Sequence, residues 1–271
     1  MSVGRVIVWF TLVMGVLGGC HPRPPSDLVP PHETIRLESH AVGETRVVNV
    51  WQPDVDPDVA LPVLYMPDGG VAEDFPHIAN TVAELIARGE LPPMRVVGIE
   101  NTDRKRDLTG PTTVAADREL LPSNGGAAAF RAFMRDELVP SIEARYACDG
   151  RRAIIGESLA GNFVAETFVR EPELFDAYIA ISPSLWWNGA GIVEELQARR
   201  GSFPSERTIF LTSANETDIA VNVAAFAEVL EQTEVRWTYR PRADLRHHTI
   251  FRAMKVEALT WALAPWVSEA A

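Results

Sequence analysis

The run Arg152-Ala153-Ile154-Ile155-Gly156-Glu157-Ser158-Leu159-Ala160-Gly161 decides the fold. Its first four residues suit a short buried strand, and the residues from Leu159 to Arg170 carry apolar positions at helical spacing. Between them lies Gly-x-Ser-x-Ala-Gly, with tiny residues on both sides of one serine. A tight strand-to-helix turn needs them, because the serine occupies strained backbone angles and the flanking chains pass close together. Such a turn holds the hydroxyl clear of the sheet and aims the N-terminus of the following helix at it. The plainer reading of Ser158 is a cap on that helix's first turn.

Working outward, the same alternation of strand and helix continues in both directions. Apolar or alternating runs suited to strands are Ile35–Ser39, Thr45–Trp51, Val63–Met66, Arg95–Ile99, Ala153–Ile155, Tyr178–Ile181, Thr208–Leu211 and Val235–Tyr239. Helical patterns fall between them at Ile78–Arg88, Ala127–Tyr146, Leu159–Arg170, Ile192–Arg199 and Ile219–Gln232. A last one, about Ala253 to Val267, is interrupted by Pro265. This order predicts an α/β fold with a mainly parallel central sheet and helices on both faces. The first two runs, joined by a short turn at Gly43, suit an antiparallel hairpin at the sheet edge.

The 271 residues carry 37 acidic against 25 basic side chains, a formal net charge of −12. That balance excludes a nucleic-acid partner that needs a basic footprint. Two cysteines, Cys20 and Cys148, are too few for a disulfide framework or a Cys-rich zinc site. At the N-terminus Arg5 precedes an uncharged run, Val6 to Gly19, that ends Leu17-Gly18-Gly19-Cys20. The run is too short to span a bilayer and has the length of a secretory signal's apolar segment. Its small residues before Cys20 resemble the bacterial lipobox, which implies cleavage there and lipid on the cysteine. Residues 1–19 are thus expected to be a lipoprotein-type signal and residues 20–33 a proline-rich spacer. Residues 34–271 are expected to be one catalytic domain held at the cell envelope.

In such a sheet, chemistry collects on loops outside the carboxyl ends of the strands. Polar residues directly after the apolar runs are Asp68-Gly69-Gly70, the Ser158 segment, Asn215-Glu216-Thr217-Asp218 and, beyond the last strand, His247-His248. A serine needs a base to take its proton, and in this fold class the order along the chain is Ser, acid, His. Only His247 and His248 follow Ser158. In an extended segment they point to opposite sides, so one serves as base and they make a poor metal site. Glu216 and Asp218 are the candidate acids. Asp218, directly ahead of a helix, also suits pairing with the helix dipole.

The residues now carry a family resemblance. Arg104-Lys105-Arg106-Asp107-Leu108-Thr109, after Val96-Val97-Gly98-Ile99-Glu100-Asn101, resembles the esterase D and enterochelin esterase group of α/β hydrolases. So do Leu64-Tyr65-Met66-Pro67-Asp68-Gly69-Gly70, Pro172-Glu173-Leu174-Phe175-Asp176-Ala177-Tyr178 and Ser182-Pro183-Ser184-Leu185-Trp186-Trp187. The resemblance implies the α/β-hydrolase fold and a serine esterase with Ser158 as nucleophile. It favours Glu216 as acid, through Ser213-x-x-Glu216, and His247 as base, through His247-His248-Thr249-Ile250-Phe251. The sequence departs from the group at Glu157, Ala160 and Ser213, where many relatives have His, Gly and Gly.

On this reading His247 deprotonates Ser158, which attacks an ester carbonyl, while Glu216 holds the imidazole tautomer. The Leu159 amide and one amide of Gly69 or Gly70 are expected to hold the oxyanion, although Gly69-Gly70 is equally an ordinary turn. No metal or cofactor is required. Trp186 and Trp187 offer an aromatic wall for substrate or belong to the core. Arg104 and Arg106 offer an anion contact or pair with Asp103 or Asp107. The expected partner is a small-molecule ester, such as a siderophore lactone or an aryl or short acyl ester. Rival readings are a non-catalytic envelope binding protein on the same scaffold, and an acyltransferase or thioesterase using the same residues.

Overall fold

The computed structural model describes residues 27–268. All eight strand runs form strands: β1 (Glu33–Ser39), β2 (Glu44–Trp51), β3 (Leu61–Met66), β4 (Arg95–Ile99), β5 (Cys148–Glu157), β6 (Ala177–Ile181), β7 (Thr208–Ser213) and β8 (Arg236–Pro241). They build one sheet in the order β1-β2-β4-β3-β5-β6-β7-β8. The edge hairpin is antiparallel, with Glu33 opposite Val50, and β2 pairs antiparallel with β4. Every pairing from β4 to β8 is parallel.

The helices are α1 (Phe75–Ala87), α2 (Arg104–Leu108), α3 (Ala115–Leu120), α4 (Ala127–Phe133), α5 (Val139–Arg145), α6 (Leu159–Arg170), α7 (Gly191–Arg199), α8 (Thr217–Leu230), α9 (His247–Ala262) and α10 (Ala264–Ser268). They cover both faces of the sheet, which is why the inner strands are apolar throughout rather than alternating. Side chains still take opposite faces in turn. Val63 and Tyr65 join the core of Phe130, Phe163 and Phe226, whereas Leu64 and Met66 join that of Ile78, Ile250 and Leu259.

Three helical expectations differ from the fold. The run Ala127–Tyr146 is broken by a π-turn, Met134–Leu138, whose end passes the Val139 N–H to the Met134 carbonyl. Pro140 follows directly in α5; it has no N–H to donate and its ring crowds the carbonyl four residues back, so the turn widens. Helix α9 starts at His247, earlier than the apolar spacing suggested, because the Thr249 hydroxyl accepts the Arg246 N–H at 3.2 Å and caps the first turn. The histidine pair therefore begins a helix rather than lying in an extended segment. Helices α2 and α3 are too short for periodicity to reveal.

The strand order reverses at β3, which has β4 on one side and β5 on the other. A crevice opens where the connections leave in opposite directions, at the carboxyl ends of β3 and β5. The chain is strained there. Asp68, Ser158 and Ser182, directly after β3, β5 and β6, have φ of +56°, +62° and +44°. Non-glycine residues in such conformations cost about 1–3 kcal/mol each and persist where the surroundings enforce them.

Gly69 is locked against β4. A Cβ on it would lie 2.2 Å from the Ile99 nitrogen and 2.3 Å from the Gly98 Cα, backbone atoms that cannot yield. Gly69→Ala is therefore expected to lower stability by about 3 kcal/mol or more, read as a lowered Tm. An unchanged Tm would contradict this close approach.

Candidate active site

The turn around Ser158 is built by what its neighbours lack. A Cβ on Gly156 would sit 2.7 Å from the Ala160 carbonyl oxygen and 2.8 Å from the Ala160 Cβ. Only one of these two positions tolerates a side chain, so alanine at 160 is compatible with glycine at 156. A Cβ on Gly161 would lie 3.1 Å from the Ile181 carbonyl oxygen and from Pro183, which holds α6 close to the exit of β6. Ser158 makes no side-chain cap bond to α6, so the capping account of this serine fails.

Its hydroxyl instead meets an imidazole. Ser158 Oγ lies 2.9 Å from His247 Nε2 and 3.5 Å from Ser184 Oγ. The other ring nitrogen, Nδ1, lies 3.1 Å from Ser182 Oγ. Burial holds the His247 pKa below its ordinary value, against the opposing pull of the Glu216 carboxylate. His248 is exposed.

Glu216 arrives differently from expectation. It sits at the start of α8, and Oε1 accepts the backbone N–H of His247 at 2.9 Å. Its Oε2 is buried and has no hydrogen-bond partner among the described residues. The carboxylate thus anchors the start of α9 beside the imidazole, and Nδ1 faces a serine hydroxyl. Asp218 is exposed, in the first turn of α8. Ser213 is fully buried, and its Oγ lies 2.6 Å from the Tyr239 hydroxyl on β8.

Leu159 is the first residue of α6, so its amide has no intrahelical acceptor. The glycine amides expected beside it are already engaged. Gly69 N–H donates to the Ile99 carbonyl at 2.9 Å, and Gly70 N–H to Glu73 Oε2 at 2.7 Å. In this arrangement neither the Gly69 nor the Gly70 amide is free beside Leu159.

Arg104 does reach the site, where its Nε–Nη2 edge is held by both oxygens of Asp68, with Nε–Oδ1 2.6 Å and Nη2–Oδ2 2.7 Å, and Nη2 also donates to the Glu157 carbonyl at 3.4 Å. Neither Asp103 nor Asp107 is its partner. Arg106 points away, pairing with Asp107 at 2.7 Å and Glu44 at 2.6 Å to hold α2 against β2. Trp187 is a core residue: it is 3% exposed and its indole N–H donates to the Gly110 carbonyl at 2.9 Å. Trp186 is half-buried against the same core. Cys148 is a free thiol whose pKa burial raises. Cys20 lies outside the described residues.

The sequence reading missed Ser182 and Asp74. Ser182 had a usable signal, since it is the polar residue directly after the run Tyr178–Ile181. Asp74 had none, because it follows β3 by several residues and enters the site only through the turn before α1. A cleft of about 180 Å³ at His247 is lined by Asp74, His77, Glu157, His247, His248, Phe251 and Arg252. Larger hollows, of about 270 Å³ beside His32 and Tyr146 and about 470 Å³ beside Arg135 and Glu173, lie away from it and contain neither Ser158 nor His247. Among the described residues no three His, Cys, Asp or Glu side chains converge as metal ligands.

Comparison with known proteins gives the family. Residues 39–245 match the model of the family described as "Putative esterase". The chain belongs to that family. It is a serine esterase with the α/β-hydrolase fold. Ferri-bacillibactin esterase BesA of Bacillus subtilis is 29% identical over 218 residues, which cover 73% of this chain and 70% of that protein. The siderophore triacetylfusarinine C esterase of Aspergillus fumigatus is 28% identical over 191 residues, covering 65% of this chain and 63% of that one. An IroE-like serine hydrolase from Shewanella oneidensis superposes with a TM-score of 0.78 at 25% identity, over 86% of this chain and 80% of its own.

Proposed function

We propose that this esterase hydrolyses carboxylic esters of small molecules through an acyl-enzyme on Ser158, with His247 as base and Glu216 as its acid. The observation that carries the reading is the 2.9 Å contact between Ser158 Oγ and His247 Nε2 at a serine with φ of +62°. His247 takes the hydroxyl proton as Oγ attacks the carbonyl, then gives it to the departing alcohol. Water repeats the sequence on the acyl-enzyme and releases the acid. Leu159 N–H faces the developing oxyanion, and each such donor is worth about 3–4 kcal/mol of barrier. Glu216 fixes the start of α9, and hence the imidazole, while its charge favours the imidazolium. Ser182 holds Nδ1. The siderophore esters named for the relatives, with aryl and short acyl esters, form the panel that tests this. Free acid released by wild type and not by Ser158→Ala supports hydrolysis, and binding without turnover supports the scaffold reading instead.

We infer also that Cys20 carries lipid and tethers the enzyme to the cell envelope. Residues 1–26 lie outside the described part, and the chain enters it at Asp27. From there Asp27 pairs with Arg252 on α9 at 2.5 Å, and the Leu28 carbonyl accepts from Asn80 on α1 at 2.8 Å. Several acyl chains on one cysteine give durable attachment where a single chain gives marginal binding. Cys20→Ser is expected to yield soluble protein or uncleaved precursor with unchanged turnover per molecule. A wild-type protein found in the aqueous phase of a detergent partition, with Cys20 as a free thiol, would contradict the anchor.

A further inference from the structure

The cleft that His247 lines lies next to Ser158, whose Oγ is 2.9 Å from His247 Nε2, and it gathers carboxyl groups. Glu157 projects into it from the residue before Ser158, with Oε1 3.5 Å from His247 Nε2. Asp74 lines the same cleft, keeps 35% of its side chain exposed, and contacts His77 Nε2 at 3.0 Å. Against these carboxyl groups stand two guanidinium groups, and each is already paired. Arg104 is bound by both oxygens of Asp68, and Arg252, in the cleft wall, by both oxygens of Asp27 at 3.2 and 2.5 Å. Lys255, behind the wall, donates to the His77 carbonyl at 3.2 Å. Glu216 adds a further carboxylate across His247.

We propose that this cleft selects esters whose tail is positively charged, such as a quaternary ammonium, and that Glu157 and Asp74 set the preference. The inference rests on the esterase reading and narrows its substrate class. A cation in a partly desolvated cleft is attracted by both carboxyl groups, while an anion there meets Asp74 directly and finds both nearby guanidinium groups neutralised. Phe251 gives the cleft an apolar wall against which alkyl groups on the cation pack. Burial, and then the Asp74 charge, hold the Glu157 pKa up at about 8; Arg104 opposes this, while Asp68 and Glu216 add to it. A cationic tail favours the ionised form, so the preference grows as pH rises and Glu157 loses its proton. His77, His247 and His248 also face the cleft.

The test compares three isosteric aryl esters with trimethylammonium, tert-butyl or sulfonate tails, using the full-length protein in detergent. The ratio of kcat/KM for trimethylammonium over sulfonate is expected to be about tenfold or more and to widen between pH 6.5 and 9. It should shrink in Glu157→Gln and in Asp74→Asn, and Glu157→Gln should lose the part of the pH dependence centred near 8. Taking ratios removes any common loss from disturbing the neighbour of Ser158, and the wild-type pH series stands without either variant. Equal or reversed ratios, with the tert-butyl ester still turned over by Ser158, overturn the inference alone. No Ser158-dependent turnover of any of the three overturns the esterase reading and the inference with it.

Discussion

Ser158→Ala abolishes ester turnover, with a loss on the order of 10⁵-fold or more in kcat and no loss of folded protein. The size follows from the mechanism. Without Oγ there is no acyl-enzyme, and what remains is the modest acceleration from binding and the Leu159 amide. The fold survives because nothing structural hangs on the hydroxyl: its contacts are His247 at 2.9 Å and Ser184 at 3.5 Å. Alanine at a φ of +62° is no more strained than serine, since both carry a Cβ. Circular dichroism and Tm should therefore match wild type while hydrolysis disappears. Residual turnover within about tenfold of wild type would move the chemistry to another residue.

His247→Ala costs nearly as much, several orders of magnitude in kcat, whereas His248→Ala changes it by less than about tenfold. One ring touches the nucleophile and the other is exposed at the start of the same helix. The wild-type kcat/KM profile adds an independent check. The base must be neutral to accept the serine proton, so activity rises with pH through the pKa of His247 in the free enzyme. Burial lowers that pKa, which places the acid limb below the ordinary histidine value of about 6.5. Glu216→Gln should damage turnover more than Asp218→Asn, because only Glu216 bonds the His247 backbone and lies beside the ring. A larger loss at His248, or at Asp218, would reverse these assignments.

Much of the architecture was legible because buried strands and strand exits leave strong local signatures. The eight apolar runs are all strands, and the edge hairpin is where Gly43 suggested. The elbow was legible for a related reason, since three tiny residues around one serine leave few other conformations. The boundaries that failed were set by single local residues that apolar spacing does not register. Pro140 opens a π-turn inside a helix whose apolar spacing is continuous, and a threonine hydroxyl starts α9 at a histidine that no periodicity marks. In the site, chain order narrowed the choice to His247 or His248 and Glu216 or Asp218, and the family resemblance favoured His247 and Glu216, but neither showed that Glu216 bonds the His247 backbone rather than its ring. No pattern in the sequence tells that Ser182 faces Nδ1, that Glu73 occupies the Gly70 amide, or that Asp68 engages Arg104. Each of these pairs joins residues from separate loops whose spacing is fixed only once the sheet has formed. The two tryptophans show the same limit, as identical neighbours take a buried and a half-buried place.

The most direct test is a single labelling measurement. Wild-type protein treated with a serine-directed phosphonate ester should gain the mass of one adduct, located by peptide mapping on Ser158, with activity lost in proportion to labelling. Ser158→Ala should gain none. An adduct on any other serine, or full labelling of Ser158 with turnover intact, would contradict the assignment of Ser158 as the nucleophile activated by His247.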